Sequence, residues 1–211
     1  MLSMPPLSTP RLLIRPFVME DFDDAHRLFD IELNAAALHT DKMGSLAERA
    51  AWLQWSALNH VQLAKLYQPP YGDRAIQLKT TGEMIGSCGY VPCLAPFEQI
   101  PYFGDDVGAG PVGAGLRPAP MQGVANNTPE FGLFYAISPH HRGQGYATEA
   151  ARALVDYAFE HLRLKRVVAT TDYDNLASIG VMEKLGMRIE GNPYPEPAWF
   201  QVVGVLENST P

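Results

Sequence analysis

The chain has 211 residues, 46% of them hydrophobic, and a formal net charge of -7 at pH 7. That length and apolar content suffice for the full core of a single large domain, and the acidic balance excludes the basic surface that broad nucleic-acid affinity requires. No apolar run approaches the roughly 20 residues of a membrane span and no basic-then-apolar signal opens the chain, so the reading is a cytoplasmic protein with no membrane attachment.

After a loose Pro-rich leader at residues 1–8, Arg11-Leu12-Leu13-Ile14-Arg15-Pro16 reads as a short strand closed by proline. Glu20-Asp21-Phe22-Asp23-Asp24 opens a helix whose acids complement its dipole, and Phe22, Ala25, Leu28, Phe29 and Leu33 recur at helical spacing. A second helix starts near Ser45, with Glu48 completing a capping box, carries Trp52, Trp55 and Leu58, and ends before Pro69-Pro70. Residues 74–79 and 84–91 alternate or run apolar around Thr81-Gly82, which predicts a hairpin. Cys88 and Cys93 are the two cysteines, and with no paired Cys/His cluster elsewhere they predict reduced thiols and no metal site.

Periodicity then disappears over residues 92–129, where six glycines fall between Gly104 and Gly123. A structureless insertion of that length reads as a mobile flap, an interface arm or disorder. Residues 130–138 carry apolar or small groups on both faces, as a central strand does. A helix follows with Ala147, Ala151, Leu154, Ala158 and Leu162 on one face, then a strand over residues 166–171. Asn175 begins a short helix that ends at Gly186, the usual left-handed terminator, and residues 189–191 and 199–206 supply the last strands. The domain therefore spans residues 9–206, with a tail at 207–211.

The turn Arg142-Gly143-Gln144-Gly145-Tyr146-Ala147 sits between the central strand and the long helix. Two glycines one residue apart let the backbone approach a bulky anion, and the helix behind them aims its unpaired N–H groups at it. A Walker phosphate loop would need Lys-Ser or Lys-Thr after the glycines, and Tyr146-Ala147 stands there instead. A dinucleotide fingerprint would need a Rossmann unit, which the preceding helical pair and hairpin make a poor fit, although Asp172 and Asp174 lie near the position of its acid.

About thirty residues on comes Asn175-Leu176-Ala177-Ser178-Ile179-Gly180-Val181-Met182-Glu183-Lys184-Leu185-Gly186-Met187. The two segments together resemble the GNAT acetyltransferase superfamily: the first its Gln/Arg-x-x-Gly-x-Gly/Ala signature, the second its Asn-x-x-Ser and Glu-Lys-Leu-Gly-Phe pattern with methionine in last place. The opening at residues 11–16 resembles the subgroup of ribosomal-protein alanine N-acetyltransferases.

The resemblance implies an α/β (α+β) GNAT fold: a mixed, mostly antiparallel central sheet with splayed middle strands and helices on both faces. It implies acetyl-CoA as acyl donor, with pantetheine along Tyr135 and Ile137, and the diphosphate on residues Gly143, Gln144, Gly145, Tyr146, Ala147 and Thr148. Arg142 would add charge and Asn175 and Ser178 would meet the pantetheine side. The activity implied is N-acetyl transfer to a primary amine, protein N-terminal or small-molecule, by direct transfer in a ternary complex.

An alkyl ammonium must lose a proton before it attacks, and Glu130, matching a glutamate that opens this strand in related sequences, is the expected base, directly or through water. Many members place a tyrosine where Met182 stands; with that hydroxyl missing, Ser178 is the expected proton donor. His140 and His141 read as solvated turn residues beside the cradle. Trp52, Trp55 and residues 194–199 read as core or acceptor-pocket walls, and the acceptor is expected near residues 35–44 and 192–198. Two alternatives stay open: a non-catalytic acyl-CoA-binding module, which Met182 and the insertion leave room for, and an antibiotic-modifying enzyme, which would want an acidic cleft; the near-neutral acceptor loops count against the latter, although Asp41, Asp105 and Asp106 could contribute to one. The acceptor's identity and a homodimeric state are left open.

Overall fold

The computed structural model describes residues 3–34, 43–104 and 126–209. Among these described residues, eight strands hydrogen-bond in the order β1-β2-β3-β4-β5-β6-β8-β7. They are β1 (Leu7–Ser8), β2 (Leu12–Pro16), β3 (Gly72–Leu78), β4 (Met84–Ala95), β5 (Thr128–Ile137), β6 (Arg166–Thr171), β7 (Arg188–Gly191) and β8 (Val202–Glu207). Pairing is mostly antiparallel, with β5 and β6 parallel. The chain divides into two compact units, Met1–Val91 with Leu133–Arg163, and Pro92–Gly132 with Leu164–Pro211.

In the first unit, β2 alternates as its sequence dictates: Leu12 and Ile14 are fully buried and pair with Leu78 and Ile76 of β3. Helix α1 (Phe22–Ala25) runs on into a π-helical stretch, His26–Leu33. It packs Phe29 against Phe17 and Trp52, the latter from helix α2 (Leu46–Lys65), with ring centroids 5.0–6.3 Å apart. Trp52 is thus core, as expected, whereas Trp55 is 55% exposed. Asp30 ties the two helices: it accepts two hydrogen bonds, at 2.6 and 2.9 Å, from the fully buried Arg49, whose guanidinium lies over Phe29 and Trp52. The α2 cap forms at Ser45, whose Oγ accepts from the Glu48 N–H; the Glu48 carboxylate reaches one residue further out than a capping box would, to the N–H of Gly44.

The leader is not loose. β1 pairs with β2, Met4 is buried, and Arg74 of β3 donates to the carbonyls of Met4 and Pro5. A proline-rich start hides this because its partners are backbone carbonyls, which any residue supplies.

In the second unit the expected structureless stretch begins as structure. β4 continues to Ala95, a 3₁₀ turn covers Phe97–Gln99, and helix α3 covers Pro101–Gly104. Ala95, Phe97, Ile100 and Phe103 form the unit's core with Val168, Phe200, Val203 and Val205. Three apolar residues spaced by three across two short turns are too short a pattern to separate from loop. Residues 105–125 of that stretch lie outside the described residues.

Helix α5 (Leu176–Leu185) starts at Asn175, whose side chain accepts from the Ser178 N–H, and stops at Gly186 with φ +84°. Met182 is buried against β8: a Cβ on Gly204 would stand 2.9 Å from its sulfur. Among the described residues no helix is long and apolar enough to cross a membrane, and no cluster of metal-ligating side chains occurs.

Candidate functional site

The second half of β5, the turn after it and the long helix lie in the first unit and carry Tyr135, Ile137 and residues 142–148. β4 sets the last residues of β5 in place: a Cβ on Gly86 would fall 2.4 Å from the Ala136 carbonyl oxygen, so only glycine permits that approach. The Ser138 N–H then donates to Ile85, and a 3₁₀ turn at Pro139–His141 swings the chain out of the sheet.

Gly143 and Gly145 both have φ in the left-handed region, +72° and +80°. No other heavy atom comes within 4 Å of a Cβ built on Gly143, so its requirement is conformational rather than one of space. Gly145 is the N-cap of helix α4 (Tyr146–Glu160) and supplies no side-chain cap. The first intrahelical bond runs from the Glu149 N–H to the Gly145 carbonyl at 3.0 Å. The N–H groups of Tyr146, Ala147 and Thr148 precede it and have no intrahelical acceptor. Residues 142–145 are exposed, so this end of a fifteen-residue helix opens to solvent as a row of donors at a positive dipole end. Tyr90 of β4 fixes the helix from beneath by donating to the Leu154 carbonyl at 2.6 Å.

Arg142 is exposed, with its Nε directed back to the Ile137 carbonyl at 3.4 Å. Sequence reasoning passed over Arg11. Its Nε donates to the Glu149 carboxylate at 2.6 Å and its Nη1 to the Gln144 carbonyl at 2.9 Å, while its guanidinium carbon stands 4.4 Å from the Tyr146 ring centroid. Nothing in the run Arg11-Leu12-Leu13 marks this, because the partners lie more than 130 residues away.

Glu130, Asn175 and Ser178 lie in the second unit. β5 and β6 share one register pair, Gly132 with Val168, whereas β6 and β8 share six. Two residues ahead of that pair on each strand, Arg166 clasps Glu130 through both carboxylate oxygens, and the arginine stacks over Phe103. The pair lines a cavity of about 600 Å³ together with Glu98, Thr128, Pro129 and Lys165. Ser178 belongs to the helix that follows the other end of β6. Five residue steps at about 3.3 Å span about 16 Å along that strand, so the structure does not bring Glu130 and Ser178 together.

Ser178 is half-buried, its N–H held by the Asn175 side chain at 3.2 Å. The segment after β7 is built around Asn192, whose Nδ2 donates to Gln99 and to the Phe200 carbonyl and whose Oδ1 accepts from the Tyr194 N–H. Tyr173, beyond the end of β6, donates its hydroxyl to the Asn192 carbonyl at 2.6 Å. Of the other expected acceptor elements, residues 35–42, with Asp41, and Asp105 and Asp106 lie outside the described residues.

Comparison with known proteins agrees with this architecture. The chain matches the acetyltransferase (GNAT) domain across residues 11–188. The Bacillus subtilis protein YkkB is 32% identical over 185 residues, 86% of this chain and 84% of that one. The uncharacterized N-acetyltransferase YnaD of the same organism is 42% identical over 57 residues, which are 27% of this chain and 34% of YnaD. Among solved structures, the ribosomal-protein-S5-alanine acetyltransferase of Vibrio fischeri superposes with a TM-score of 0.65 at 16% identity, covering 97% of both chains, a likeness of fold. With the domain matched over most of its length and YkkB aligned over nearly all of it, this chain belongs to the GNAT acetyltransferase family.

Proposed function

We propose that the protein is an acetyl-CoA-dependent N-acetyltransferase acting on a primary amine, either a protein N-terminal amine or a small molecule. One observation carries the reading: in a GNAT chain, the uncapped N-terminus of α4 presents three backbone donors behind two left-handed glycines, a shape that fits a diphosphate and that a side chain at either glycine would strain. Acetyl-CoA supplies the activated acetyl thioester. Tyr135 and Ile137 would offer backbone groups to its pantetheine arm, and residues 143–148 would hold its diphosphate, with Arg142 adding charge.

The acceptor nitrogen forms the new C–N bond as the C–S bond breaks, and the departing thiolate takes up a proton. Ser178 is the assigned donor of that proton; Met182, buried against Gly204, has no proton to give and no exposed face. Proton removal from the acceptor is assigned to Glu130 acting through water. That role asks a carboxylate already clasped by Arg166 to work from the far end of β6, so it is tested separately.

The test is coenzyme A release with a panel of peptides and small amines. Turnover with at least one acceptor is expected, with Ser178→Ala lowering kcat by about 10- to 100-fold while acetyl-CoA affinity holds. Tight acetyl-CoA binding without turnover on any acceptor would replace this reading with that of a binding module. For Glu130→Gln, a base predicts a fall in kcat and a loss of the acidic limb of the pH profile. Unchanged kcat with a lowered melting temperature removes the base role and leaves Glu130 as the partner of Arg166.

A further inference from the structure

The α4 N-terminus carries a contradiction that a sequence motif does not reveal. Glu149 stands in the first turn of the helix, where it complements the dipole, yet a carboxylate there repels the very anion that the neighbouring amides are shaped to hold. Three groups converge on it. Thr9 Oγ1 donates to Glu149 Oε1 at 2.6 Å, the Arg11 backbone N–H donates to the same oxygen at 2.9 Å, and the Arg11 Nε donates to Oε2 at 2.6 Å. Burial on its own would raise the Glu149 pKa, but these bonds outweigh it and hold the carboxyl below its ordinary value. The carboxylate is therefore ionised at neutral pH, and its charge has to be cancelled rather than removed.

Arg11 is placed to do that. It is anchored to Glu149 and to the Gln144 carbonyl and rests on the Tyr146 ring, so the guanidinium spans the turn from Gln144 to Glu149. Its Nη2 lies 3.5 Å from where a Cβ on Gly145 would be, and the side chain is 46% exposed. A fixed, half-exposed cation thus sits beside the glycine that opens the cradle. The geometry points to Arg11 as a positioning residue of the acyl-donor site: it neutralises Glu149 and holds the Gln144–Tyr146 turn so that the helix terminus stays net attractive to a diphosphate. This inference rests on the cradle reading given above.

Calorimetric titration of the full chain with coenzyme A tests it, at low and at physiological salt, with melting temperatures recorded for every variant. Arg11→Met is expected to weaken binding by about 10- to 100-fold, with the larger loss at low salt. Glu149→Gln is expected to bind as tightly as the parent or tighter, and adding it to Arg11→Met is expected to recover at least about tenfold, since with the carboxylate gone there is no charge left to cancel. Arg11→Lys keeps the charge without the fork or the stacking, and its affinity falls between the parent and Arg11→Met. In turnover assays the Arg11→Met loss appears in the KM for acetyl-CoA, with kcat at saturation within about twofold of the parent.

A purely structural tether predicts the opposite pattern: Glu149→Gln and Arg11→Met weaken binding alike, and the double variant binds no better than either. That pattern, or unchanged affinity in Arg11→Met, overturns the inference. Failure of the parent chain itself to bind coenzyme A overturns the cradle reading instead, so the two failures are told apart.

Discussion

Asp30 illustrates how a single residue here carries more than its sequence position announces. It receives two hydrogen bonds from Arg49, one from the Met43 N–H and a 2.9 Å contact from His26 Nδ1. Burial pushes its carboxyl up, but Arg49, His26 and Met43 together pull it down to about 2. Replacing Asp30 with alanine removes both of these carboxylate bonds from a fully buried guanidinium, and the expected cost is about 3–5 kcal/mol, read as a shift in the urea midpoint. A loss below about 1 kcal/mol would mean that water or a neighbour takes over from the carboxylate. Cysteine behaviour belongs at the same scale. Cys88 is buried and pushed well above the ordinary thiol value by burial, and burial together with Glu130 raises Cys93 to about 11. Neither thiol should react appreciably with a disulfide reagent at pH 8 within the time that denatured protein reacts fully. Asp30, Arg49 and both cysteines read as unremarkable letters in the chain, because burial and partners are not written locally.

At the scale of elements, helix boundaries were legible and their partners were not. Ser45 caps α2, Asn175 caps α5 and Gly186 ends it with positive φ, because caps are decided within four residues. Strands β2 and β6 lie where alternation and apolar runs put them, while β4 and α3 reach into residues that read as loop. The leader is the clearest departure. Arg74 is buried and donates to the Met4 and Pro5 carbonyls rather than to a carboxylate; desolvation lowers its pKa accordingly. Deleting residues 1–6 removes both acceptors and leaves the cation buried. The expected loss is about 2–4 kcal/mol, measurable by chemical denaturation, and Arg74→Met in the shortened chain should restore part of it. If the shortened chain is as stable as the parent, the leader contributes no more than a surface strap.

For the molecule as a whole, the depressed carboxylates set the acid limit. Asp30, Glu32 and Glu149 all have folded pKa values below their ordinary ones, so each contributes stability that is fully present above its unfolded pKa. That contribution is lost as pH falls through the folded value, which for Asp30 means toward about 2. Asp156, raised by burial, acts in the opposite sense. Unfolding free energy should therefore vary little with these groups at neutral pH and fall steadily below about pH 4.5. Asp30→Asn should flatten the steepest, most acidic part of that limb. An acid limb of unchanged slope in Asp30→Asn would show that other carboxylates dominate it.

The sequence by itself determined the family, the turn at residues 142–148 and the helix starts at Ser45 and Asn175, because each is a short run in which neighbouring residues satisfy one another. Tertiary structure alone decided that Arg11 meets Glu149, that Arg166 clasps Glu130, that Arg74 secures the leader, and that Phe97, Ile100 and Phe103 are core. Those pairings join residues dozens to more than a hundred positions apart, and their charges acquire meaning only where folding has removed the water between them.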